Sequence, residues 1–86
     1  PYIIDSIGWA YYLINDFVKA EKFLKRAVEL MPEDPIVNDH YGDILWRLDR
    51  KIQARYFWAM VLKMEDTEQE LIDQIQTKLV EGLINS

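Results

Sequence analysis

The one histidine of this 86-residue chain, His40, stands between Asp39 and Asp43. Imidazole beside carboxylate is a donor set for a transition metal, and it is also the pairing from which acid–base catalysts are built. Packed into about one and a half helical turns, however, three such ligands cannot close a coordination sphere without a fourth from elsewhere. Ser6 has no evident base beside it, there is no cysteine, and no glycine-rich phosphate loop is present. The chain is therefore read as non-enzymatic, with no metal and no cofactor, and Asp39, His40 and Asp43 as a polar helix face.

The stretch that carries this trio, DHYGDILW at 39–46, has an earlier counterpart in DSIGWAYY at 5–12. Shifting the chain by 34 residues superposes Pro1 on Pro35, Asp5 on Asp39, Gly8 on Gly42, Ala20 on Ala54 and Phe23 on Phe57. Class is kept at Tyr12/Trp46, Ile14/Leu48, Val18/Ile52 and Ala27/Val61. Such a period is the mark of a repeat architecture.

Each unit reads as two helices. Asp34 caps a helix opening at Pro35, where a missing amide donor costs nothing. Asn15 and Asp49 fall where the chain must turn, and both types tolerate left-handed backbone. Second helices are expected over about Phe17 to Leu30 and Lys51 to Lys63. Gly8 and Gly42 are expected to face Ala20 and Ala54, letting the paired helices approach closely.

These residues resemble the tetratricopeptide repeat pattern, W-x2-L-G-x2-Y, then A-x3-F, then P. The first unit matches it at Ile4, Ile7, Gly8, Tyr11, Ala20, Leu24 and Pro32. The second matches at Asn38, Tyr41, Gly42, Leu45, Ala54 and Trp58, with Asp66 in the proline place. The pattern's tryptophan is absent from both. DHYGDILWRLDRKIQARYFW is also similar to the C-terminal repeats of bacterial multi-repeat proteins of this family. The resemblance implies an all-α fold: a right-handed α-solenoid of two helix-turn-helix repeats, 1–34 and 35–67, and a C-terminal capping helix over 68–86. Bacterial envelope and cytoplasm are both open as locations.

For that last helix, Thr67 and Glu70 form a capping-box pattern. Leu71, Ile72, Ile75, Leu79, Val80, Leu83 and Ile84 make one apolar stripe. Gln76 takes the place of the small glycine, so the helix imitates the first half of a third repeat and covers the core of the second. At the other end, Tyr2, Ile3, Ile4 and Ile7 would pack against a preceding repeat. A fragment of a longer chain is therefore expected, or a homodimer through those four residues.

Half the chain is hydrophobic and 29% is charged, as in a folded protein. A net charge of −5 disfavours nucleic acid and anionic membrane as partners. No apolar run is long enough to span a bilayer, so membrane insertion is not expected. The partner implied by the resemblance is a protein or peptide held on the concave face of the first helices. The groove positions are Asp5, Trp9, Tyr12, Asp39, Asp43, Trp46 and Arg47; the resemblance implies that members which clamp a peptide carboxylate carry Lys and Asn at the places of Asp5 and Trp9, with more basic residues in later repeats. Carboxylates there would repel an acidic terminus and favour a basic or neutral segment with an apolar anchor. Tyr12 and Trp46 are read as either groove or core, whereas Tyr11, Phe17, Phe23 and Trp58 are read as core. Asp43 and Arg47, four apart, could form a weak ion pair. The charges from Lys19 to Glu29 read as a solvated helix face. The alternative function is a structural cap or self-association module with no ligand of its own.

Overall fold

A computed structural model describes residues 2–83, which form five α-helices and no strand. They are α1 (Tyr2–Leu13), α2 (Phe17–Leu30), α3 (Pro35–Arg47), α4 (Lys51–Val61) and α5 (Gln69–Glu81). Each helix packs against the next in sequence, and α1 also touches α3. Among the described residues, no helix is long and apolar enough to cross a membrane. Pro1 and Ile84 lie outside the described residues.

The turns expected at Asn15 and Asp49 are both present, and they are built alike. Each residue adopts φ 63°. The amide after it reaches back five residues, from Asp16 to the Tyr11 carbonyl and from Arg50 to the Leu45 carbonyl, both at 2.9 Å. Each turn residue's own amide bonds three residues back, to Tyr12 and to Trp46, at 3.0 Å. This is the Schellman closure, which satisfies carbonyls left open at a helix end. Asp16 then caps α2 through the Lys19 amide at 3.3 Å, and Asp34 caps α3 through the Val37 amide at 3.0 Å.

Helix α3 is the centre of the molecule. Val37, Ile44 and Leu45 are essentially inaccessible, as are Leu24 of α2, Trp58 and Val61 of α4, and Ile75 of α5. Tyr11 and Phe17 are only half-buried at the rim of this core, and Phe23 is half-buried against Tyr11. Of the four aromatics expected inside, Trp58 alone is enclosed.

Four local expectations are corrected. A Cβ at Gly8 would run into Leu24, and one at Gly42 into Trp58, so each glycine faces the large residue four places beyond the expected alanine. The capping box before α5 does not form. Instead, the Thr67 hydroxyl turns back to the Val61 and Met64 carbonyls, at 3.0 and 3.2 Å, closing α4 two residues before Lys63. Val80 leaves the apolar stripe of α5 and stands 81% exposed. On α2, Glu21 is half-buried rather than solvated, and it pairs with Arg50 at the start of α4.

The two glycines should respond differently to alanine. At Gly8 the obstructing atoms are mainly the flexible end of Leu24, and the gain in helix propensity, up to about 1 kcal/mol, offsets part of the strain. At Gly42 the obstacle is a rigid, enclosed indole. Gly42→Ala is expected to cost about 1–3 kcal/mol and Gly8→Ala clearly less, as read by urea denaturation.

Candidate functional site

The polar residues singled out on the first helices are joined into two linked sets, one between α1 and α3 and one between α3 and α5. Their links are regularly spaced. Asp5 binds His40 through both carboxylate oxygens, each 3.0 Å from Nδ1. The Arg47 Nε donates to the Tyr12 hydroxyl at 3.0 Å. The Lys78 ammonium donates to Asp43 at 2.9 and 3.3 Å. In all three the partners are 35 residues apart. A step of 34 carries a residue to the equivalent place on the next such helix, as Asn15 and Asp49 show. One further residue turns the side chain by roughly 100° around that helix, toward the one before it.

Rings fill the space between the first two links. Trp9 stacks on Tyr12 with centroids 4.4 Å apart, and on His40 at 4.0 Å. The interplanar angles are 8° and 14°. The Arg47 guanidinium lies 5.9 Å from the Tyr12 centroid. An Asp–His pair is the positioning half of an acid–base relay. Here it ties α1 to α3, with the indole of Trp9 covering the imidazole face. No group of three His, Cys, Asp or Glu among the described residues is placed to hold a metal ion.

The carboxylates expected to line an open groove are enclosed. Asp5, Asp39 and Asp43 are 5%, 7% and 5% exposed. Lys78 bonds Asp39 at 2.8 Å as well as Asp43, and Asp43 also accepts from the Trp58 Nε1 at 3.1 Å. The base that meets Asp43 thus comes from α5, 35 residues on, and not from Arg47 one turn away. Trp46 is in the core. It stacks on Trp58 at 5.6 Å and lies under Lys51 and Arg55 at 4.8 and 4.9 Å, and its buried Nε1 has no hydrogen-bond partner among the described residues. Gly82, at φ 71°, ends α5 against the same indole, where a side chain would collide. Trp9, Tyr12 and Arg47 remain half-buried.

Burial first, and the Asp39 carboxylate second, push Asp43 up to about 6 against the pull of Lys78. Burial by itself would lower Lys78, but Asp43 and Asp39 outweigh it and hold the ammonium above its ordinary value. The Tyr12 hydroxyl is raised by burial, with Arg47 opposing.

Neither His40 nor Lys78 was found as a partner by reading each helix alone. Both are visible as the basic member of an acid–base pair when the chain is shifted by 35 rather than 34. Comparison with protein-family models, with curated proteins and with solved structures returned no match.

Two consequences are measurable. Lys78→Met leaves two adjacent buried carboxylates without their cation, which is expected to cost roughly 3 kcal/mol, with part recovered by adding Asp43→Asn. Because Asp43 holds its proton below about 6 in the folded state but only below 3.8 when unfolded, folding takes up a proton between those values. Stability from this group therefore falls as pH rises through that window. Relative to Asp43→Asn, the native protein should gain on the order of 1 kcal/mol on going from pH 7 to pH 5.

Proposed function

We propose that this chain is a non-enzymatic protein-interaction scaffold of the tetratricopeptide kind. In this reading two helix-turn-helix units and a covering helix stack as a short right-handed solenoid. The observation that carries it is the ladder of pairs 35 residues apart. It sets α1 against α3 and α3 against α5 by the same relation, as a stack of like units requires. The paired Schellman turns at Asn15 and Asp49 support the same reading.

The ladder also refines how a partner is held. Asp5, Asp39 and Asp43 are enclosed and hydrogen-bonded inside the chain, so they stiffen the face and do not select the partner. Contact falls to the half-buried Trp9, Tyr12 and Arg47, a stacked and preorganised surface of the type that concentrates binding energy.

A second reading, self-association, has its own observation. Ile3, Ile7, Leu13 and Ile14 are 75%, 39%, 65% and 71% exposed along α1 and the turn after it. The one charge of α1, Asp5, is enclosed against His40, so a second copy would meet this stripe without repulsion.

A photo-crosslinking residue at Trp9 should capture a protein partner in cells expressing the chain, whereas the same residue at the exposed Lys25 on α2 should not. Equal capture at both places would overturn the face assignment. Capture of the chain itself at Trp9, together with a sedimenting dimer that Ile3→Glu with Ile7→Glu dissolves, would establish the second reading in its stead.

A further inference from the structure

A cleft of about 850 Å³ opens where the connection between α2 and α3 faces the connection between α4 and α5, and it shares no residue with the ladder. Tyr2, Ile36, Met64 and Leu71 give it an apolar floor. Two of these are strongly exposed, Tyr2 at 55% and Ile36 at 51%. Its rim carries six carboxylates, Glu33, Asp34, Glu65, Asp66, Glu68 and Glu70, against the single ammonium of Lys63. Six negative charges and one positive leave −5, the net charge of the whole chain, so the rest of the sequence is balanced and the excess is gathered here.

Local structure explains only part of this gathering. Asp34 caps α3 and accepts from the Tyr2 hydroxyl. Glu68 and Glu70 lie at the start of α5, where the helix dipole favours anions. Glu33, Glu65 and Asp66 cap nothing, and apart from Asp34 no rim carboxylate is hydrogen-bonded or ion-paired among the described residues. Like charges crowded around exposed apolar surface raise the energy of the free protein, and a ligand that neutralises the rim while covering the floor relieves both costs.

We propose that this cleft binds a basic amphipathic peptide segment of another protein, with one aromatic or aliphatic anchor on the floor and flanking Lys or Arg on the rim. A metal ion does not fit, because no three of these oxygens converge. Of the four bases that a second copy would present on α2, Lys19 and Arg26 are already paired with Asp16 and Glu29, which leaves Lys22 and Lys25, and the test below separates this occupant from a peptide.

The test uses the full chain and a labelled peptide of alternating Lys and Arg around one central Trp, followed by fluorescence anisotropy. Glu65→Lys with Asp66→Lys changes two exposed loop residues and is expected to weaken binding by at least about tenfold, and raising salt should weaken it further. Replacing the peptide's Trp by Gly is expected to weaken binding comparably. Binding unaffected by the Glu65→Lys, Asp66→Lys pair would overturn the proposal, as would equal binding of the Gly peptide or no binding at all. A rise in mass of the protein alone that the same pair abolishes would also overturn it, in favour of a second copy. Trp9→Ala separates this site from the α1/α3 face: it should leave peptide binding intact whether or not that face holds a partner.

Discussion

The position of the last helix depends on one ammonium group. Lys78 sits between Asp39 and Asp43, and Asp43 in turn accepts from the indole of Trp58. Two carboxylates one turn apart on a central helix could not both stay charged without it, and burial makes their repulsion worse. Lys78 brings the cation, the apolar side of α5 covers Ile75 and its neighbours, and Gly82 lets the helix end close against Trp46. The α5 helix therefore completes the electrostatics of α3 as well as its packing.

The same logic is written once more toward α1 with different chemistry. Asp5 meets an imidazole rather than an ammonium, and the gap beyond it is filled by Trp9 and Tyr12 until Arg47 closes the row. A face that reads as acidic in the linear sequence thus has its carboxylates hydrogen-bonded inside the chain and is aromatic in surface. Each pair crosses between α1 and α3 or between α3 and α5 and so opposes sliding and rotation of those helices against each other.

With those acids hydrogen-bonded inside the chain, the exposed negative charge of the molecule lies elsewhere. It collects at the connections that precede α3 and α5, around a floor that the core does not cover. The stack and the charged end are separate features. One is built of satisfied pairs, and the other of carboxylates that, Asp34 apart, make no hydrogen bond or ion pair among the described residues.

Much of the local architecture was legible in the residue order. Asn15, Asp49, Asp34 and Pro35 act through their own backbone and their immediate neighbours, so the helix starts and turns they dictate could be read without knowing the fold. The all-helical class followed from the same signals. Thr67 marks the limit of that reading: its hydroxyl had a helix to cap ahead of it and open carbonyls behind, and the carbonyls won. The fate of Asp39, Asp43 and Trp46 lay further out of reach. Seen along one helix, two carboxylates and an indole look like groove-lining residues, and Arg47 one turn away looks like their counter-charge. Which base meets an acid depends on how neighbouring helices rotate against each other, and only the packed structure sets that angle. The sequence determined where the helices are and how they turn; tertiary packing decided which of their charges face inward.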